Sequence, residues 1–405
     1  MLGGRDRRRA VLLIGALAIG CGRREAAPGG AEWYRAVVGD PEVPFFVSMP
    51  APGTPGRCTI VNGEEHLDVV CSWKDASTIE LEFPMFATSI RATRDAGGAL
   101  TGTWEMSRIS GSGPPAPFAA TRIARPDPQL RFPAPTASAP ASEFGGIWKF
   151  EFRVLETGKG ILKQTPDGIV TGTIIPQGIG DMRYLAGNAR GTTLLLSTFD
   201  GQHAYVLRAE LTANQASLIG TWDYANVLSD RFTARRVTDL DIAVVEKVRL
   251  RAGATTVTIP QLADPSFRGK PMIVDYFGTW CPACMDQTPL LLDLYRRHHA
   301  AGLEILSIAL EGTTDTAYNE RQVEHFRKRY AIPWRIDVVP GEYAESESLL
   351  PPELEGTGGY PITIFLDRDH QVRAVHSGFY GPAAGDEYHR LVKLYEQHVL
   401  ELLRP

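Results

Sequence analysis

The chain has 405 residues, 43% hydrophobic and 22% charged, with a formal net charge of −5. That length argues against a single domain and for two or three. The mild acidity, with no basic stripe interleaved with aromatics, argues against nucleic-acid binding.

From the N-terminus, RDRRR precedes the apolar run AVLLIGALAIG, a pattern of signal-peptide type. The run is shorter than the roughly 20 residues a membrane-spanning helix needs. It ends in LAIGC, which resembles the lipobox of bacterial lipoproteins. The resemblance implies that residues 1–21 are a signal peptide and that Cys21 is lipidated, becoming the new N-terminus. Arg8-Arg9 also fits twin-arginine export. Either route ends outside the cytoplasm, where disulfides persist. Residues 22–30, GRREAAPGG, read as a flexible tether.

Three blocks follow. Residues 31–132 alternate apolar and polar positions between NG, GG and GSGPP turn signals, a β-rich pattern. Residues 133–143, rich in Pro, Ala and Ser, read as a linker. Residues 144–246 are again strand-like, as in IWKFEFRV and TTLLLSTF. The two β-rich blocks echo one another. Gly-Thr-Trp at 102–104 and 220–222 each precedes a Phe-x-Ala and an arginine. Two related antiparallel units are expected, as a sandwich or a pair of small barrels, with Trp104 and Trp222 as core plugs. The five cysteines are an odd number, so at least one lacks an intrachain partner. Cys58 and Cys71 flank an Asn-Gly turn and are expected to form a structural disulfide, worth roughly 3 kcal/mol by loop closure. A two-residue hairpin does not place them directly opposite, so a bulge or longer loop is expected.

Residues 247–405 alternate helical and strand patterns, an α/β signature. PMIVDYFG is a buried-strand run, and PACMDQTPLLLDLYRRHHA has apolar residues at helical spacing. Between them, GTWCPACMDQTP puts Cys281 at the strand-to-helix junction and Cys284 one turn inside, about 5 Å along the axis. The helix N-terminus favours an anion, so a thiolate at Cys281 is stabilised. Pro282 suits the first helical position. Cys284 is placed to attack a mixed disulfide on Cys281, making one cysteine the nucleophile and the other the resolving thiol. No further ligands follow at metal spacing, so neither a metal nor a cofactor is expected.

Trp280-Cys281-Pro282-Ala283-Cys284, followed by Met285-Asp286 and Pro289, resembles the thioredoxin superfamily, and within it the TlpA-like disulfide reductases of bacterial envelopes. GTGGYPITIFLDRDHQVRAVHSG at 356–378 resembles that family's strand-hairpin segment. The resemblance covers about residues 250–403. It implies a thioredoxin-like C-terminal domain following the two β-rich units, and a cis-Pro361, preceded by Tyr360, facing the cysteine pair. It further implies an envelope disulfide reductase, lipid-anchored and periplasm-facing. Its substrates would be disulfide-bearing envelope proteins, with apocytochrome c and copper-site proteins as candidates, and a membrane thiol transporter would be its electron donor. Many TlpA-like sequences carry a glutamate where this chain has Gln287, which takes no proton. Asp275, where thioredoxins keep a buried acid, is the expected proton acceptor for Cys284. The competing expectation for Asp275 is a solvated or hydrogen-bonded strand residue. The competing function is a partner-binding β module with an accessory redox domain.

Overall fold

The computed structural model describes residues 31–105, 114–133, 141–238, 246–342, 345, 348–356 and 359–404. The expected signal peptide, the lipidated Cys21, the tether and most of the linker lie outside the described residues.

Each β-rich block closes on itself. In the first, eight antiparallel strands run from Ala31 to Ile123, and the first strand (Ala31–Val38) pairs with the last (Ala116–Ile123). In the second, strand Gly146–Phe152 closes against Leu228–Val237. Both units are therefore barrels, and the sandwich alternative falls. Closure removes exposed strand edges. The period-two pattern does the rest: Ile79, Leu81 and Phe83 of TIELEF turn inward while the residues between them stay at the surface.

The Gly-Thr-Trp echo falls on the seventh strand of each barrel. Gly102 pairs with Phe118, and Gly220 with Phe232. A Cβ on Gly102 would lie 1.9 Å from the Arg91 carbonyl oxygen, and one on Gly220 would lie 2.2 Å from that of Arg208. The same crowding excludes a side chain at the same place in both units. Trp104 and Trp222 are both buried, as core plugs should be.

Strand Val43–Pro50 is buried along its whole length rather than alternately. One face lines the first barrel, and the other is covered by the second. Phe45 and Phe199 lie with ring centroids 4.5 Å apart, and Ser197 Oγ donates to the Pro44 carbonyl at 2.6 Å. Arg131, at the end of the first block, is fully buried in this seam. It donates to the Val61 carbonyl, Asn62 Oδ1 and both oxygens of Ser197.

The third unit is a five-stranded mixed sheet of thioredoxin-like topology. Its order is Arg335–Val338, Glu304–Ala309, Met272–Phe277, Ile362–Leu366, Val372–Ser377. The first three strands are parallel, and the last two form an antiparallel hairpin. Helices α1 (Pro282–His298), α2 (Thr316–Tyr330) and α3 (Asp386–Leu402) complete it. Gln322 on α2 donates to the Pro84 and Met85 carbonyls, tying this unit to the first barrel.

Cys58 and Cys71 are joined, with Cα atoms 5.8 Å apart. The expected bulge is absent. Asn62 pairs with Glu65 across a two-residue turn, and Cys58 stands opposite Val69, so Cys71 is its diagonal neighbour. Strand twist brings that diagonal close enough to bridge. Replacing both cysteines by alanine should lower stability by about 2–4 kcal/mol, read from denaturant unfolding of the full chain. An unchanged midpoint would refute a stabilising role for the bond.

Candidate active site

The whole of strand Met272–Phe277 is buried, as its apolar run dictates. It delivers the chain through Gly278 and Thr279 to the start of α1. Cys281 is the N-cap of that helix in extended backbone conformation, and its Sγ accepts a hydrogen bond from the Cys284 N–H at 3.2 Å. Pro282 takes the first helical position, where a missing N–H costs nothing. Cys281 and Cys284 are joined as a disulfide with Cα atoms 5.3 Å apart. The helix N–H groups that cap Cys281 Sγ are the ones that would stabilise it as a thiolate once the pair is reduced.

Across from the pair, the Tyr360–Pro361 peptide is cis, and the Tyr360 carbonyl oxygen lies 3.5 Å from Cys281 Sγ. Trp280 meets Tyr360 edge-on, with ring centroids 5.8 Å apart, and its indole N–H donates to the Leu310 carbonyl at 3.0 Å. The expected neighbours Trp280, Pro282 and Tyr360 are thus gathered around the disulfide. Gln287 is buried one turn below, donating to Thr363 Oγ1 at 2.6 Å and to the Tyr395 hydroxyl at 3.1 Å. It holds helix, sheet and α3 together and is not a proton carrier.

Asp275 is buried and not solvated. Burial pushes its carboxyl up to about 7, against a weak opposing bond from Ser307 Oγ at 3.4 Å. Its Oδ1 has no hydrogen-bond partner among the described residues.

Two further acids were given no role by the sequence. Glu311 follows strand Glu304–Ala309 and accepts from the Thr279 N–H at 2.9 Å and from Thr279 Oγ1 at 2.6 Å. Burial raises it to about 7, opposed by those two bonds. Its only sequence signal is an acid just past an apolar strand. Asp286, two residues after Cys284, is also raised to about 7, first by burial, with Arg183 opposing. Arg183 comes from the second barrel and donates to Asp286 Oδ2 at 3.2 Å and to Glu65 of the first barrel. No pattern local to α1 announces that partnership. Among the described residues, no group of three or more metal-ligating side chains gathers.

No protein-family model matches the chain. Curated relatives do. A thiol-disulfide oxidoreductase ResA of Geobacillus thermodenitrificans is 26% identical over 117 residues, 28% of this chain and 57% of that protein. ResA of Halalkalibacterium halodurans is 23% identical over 194 residues, 48% of this chain and 98% of that protein. The chain spans little more than half the length of the first of these. A solved structure of a putative thiol:disulfide interchange protein DsbE from Chlorobium tepidum aligns with 38% of this chain and all of that one, at 19% identity and a TM-score of 0.28. The chain is thus similar, over part of its length, to proteins named thiol-disulfide oxidoreductase.

A buried acid with a raised pKa binds its proton more tightly folded than unfolded. The stability it contributes is present below its unfolded value, near 3.8, and is lost as pH rises towards 7. Asp275→Asn should therefore gain on the native protein, by on the order of 3 kcal/mol, between pH 4 and pH 8. Urea unfolding of both proteins across that range is the measurement. Parallel curves would refute the buried-acid assignment.

Proposed function

We propose that this protein is an extracytoplasmic thiol–disulfide oxidoreductase working in the reductase direction through Cys281 and Cys284. The observation that carries the reading is the disulfide at the N-terminus of α1, with Cys281 Sγ capped by the Cys284 N–H and flanked by Tyr360-Pro361. The similarity to proteins named thiol-disulfide oxidoreductase supports it.

In the reduced enzyme, the Cys281 thiolate attacks one sulfur of a substrate disulfide. A mixed disulfide forms, and the first substrate thiolate leaves. Cys284 then loses its proton and attacks Cys281 Sγ, which re-forms the Cys281–Cys284 bond and releases the second substrate thiolate. Two electrons pass from the pair to the substrate, and a donor dithiol restores them. Asp275 takes the Cys284 proton in this scheme. A carboxyl raised to about 7 exchanges protons near neutral pH, which an ordinary aspartate does poorly.

The setting follows from the N-terminal sequence. Cys21 carries the lipid, and the chain is held at an envelope membrane, facing the periplasm. Among the described residues no helix is long and apolar enough to cross a membrane. The substrates are disulfide-bearing envelope proteins, with apocytochrome c and copper-site proteins as candidates, and the donor is a membrane thiol transporter. The barrels are tied to the redox unit in this scheme, because Arg183 of the second barrel is bonded to α1.

Cys281→Ser should abolish insulin reduction, and Cys284→Ser should trap substrate as a mixed disulfide visible on a non-reducing gel. Asp275→Asn should slow turnover about 100-fold without unfolding the protein. Equilibration with glutathione sets the direction: a potential near −270 mV supports a reductase, and one near −120 mV reverses the assignment.

A further inference from the structure

Both active-site cysteines are largely covered as residues: Cys281 is 4% exposed and Cys284 1%. Thiol–disulfide exchange needs a third sulfur to approach Cys281 in line with the bond that breaks. A bulky protein disulfide needs more room beside Cys281 than a small reagent does. A loop from another unit of the chain packs against the segments that flank the pair.

The loop Gln177–Arg183 joins strands Ile169–Pro176 and Leu185–Arg190 of the second barrel. Its ends are held by their own barrel, through Gln177 N–H to the Thr157 carbonyl and Met182 N–H to the Ile174 carbonyl. Its tip leans on the redox unit. The Gly178 carbonyl accepts from the Gly359 N–H at 3.2 Å, next to Tyr360-Pro361. Ile179 fits against Gly359 and Gly378, and a Cβ on Gly359 would come within 2.6 Å of it. Gly180 sits over Ala283, the residue between the two cysteines: a Cβ there would lie 2.6 Å from that of Ala283. Asp181 latches the tip by accepting from Thr173 Oγ1 at 3.0 Å and from the Gly381 N–H at 3.3 Å.

Resting on the redox function proposed above, we infer that Gly178–Asp181 occupies the docking edge for an extended, disulfide-bearing polypeptide, and that this strap must swing aside before such a substrate reaches Cys281. Its backbone takes the hydrogen bond from Gly359 that a bound peptide strand would take, and its side chain at 179 fills the space a substrate side chain would fill. The observed rate with a protein substrate is then the intrinsic rate multiplied by the open fraction. Reagents small enough to slip past the strap escape most of that reduction. The strap thereby discriminates by substrate size and leaves the electronics of the pair alone.

Ile179→Ala removes the wedge from a half-buried loop position outside the barrel core and outside the reacting groups. Asp181→Ala removes the latch. In the reduced full-length protein, alkylation of Cys281 by a polymer-linked maleimide should rise about tenfold in either variant, while alkylation by iodoacetamide changes less than twofold. The reduction potential of the pair should stay at the wild-type value. Equal acceleration with both reagents, or no acceleration in either folded variant, would overturn the strap. Alkylation reads access to the sulfur directly, so it tests the strap even if insulin reduction fails. In the insulin assay, faster turnover by Ile179→Ala supports the strap, and slower turnover overturns it by making the loop part of the substrate platform.

Discussion

The arrangement of the three units depends on one buried guanidinium. Arg183 belongs to the second barrel, is bonded to Glu65 of the first and to Asp286 on α1, and lies 3.8 Å from Asp200 of its own barrel. An arginine stays charged even when buried, so it demands anionic partners wherever it is enclosed. Here they come from every unit. Removing one side of such a network leaves a charge stranded away from water, which costs several kcal/mol. The carboxylates around it outnumber the cation. Asp181 and Asp286 are raised, chiefly by burial. Burial also pushes Asp200 up, but His203 and Arg183 more than offset it and bring it to about 2. The hub sits against the helix that carries the disulfide.

The two barrels are built alike and used differently. Matching glycines and tryptophans on their seventh strands show one packing solution applied twice. The first barrel carries the Cys58–Cys71 bond and supplies Glu65. The second supplies Arg183 and the loop that reaches the cysteine pair. Duplication provides two scaffolds, and only one of them extends a loop to the chemistry.

The parts of the site legible in the sequence are those where local chemistry and local geometry coincide. Cys281 and Cys284 could be read because their spacing and Pro282 define a helix start on their own. Asp275 came from the family resemblance, which puts a buried acid at that position, and burial of its strand pushes its pKa up. Strand alternation announced both barrels as antiparallel units, but closure was not visible, since it depends on the pairing of strands some 80 residues apart. Glu311 was missed because its role comes from meeting Thr279, 32 residues away. Arg183, Asp181 and the strap were missed for the same reason, on a larger scale. The bulge expected near Cys58 failed because a flat hairpin was assumed where the strands twist. Cys21 lies outside the described residues, so its place in the molecule rests on sequence.

The seam between the barrels imposes an order on assembly. Trp104 of the first barrel donates its indole N–H to the Gly201 carbonyl at 3.0 Å, Asn62 donates to that of Phe199 at 2.9 Å, and Thr88 donates to Gly201 at 2.6 Å. The three donors precede their acceptors in the chain by 97, 137 and 113 residues. A newly made first barrel therefore waits with water on groups that the mature protein buries. It is an unfinished surface until its twin is synthesised, and a chain halted between the two would present that surface to whatever chaperone is nearby.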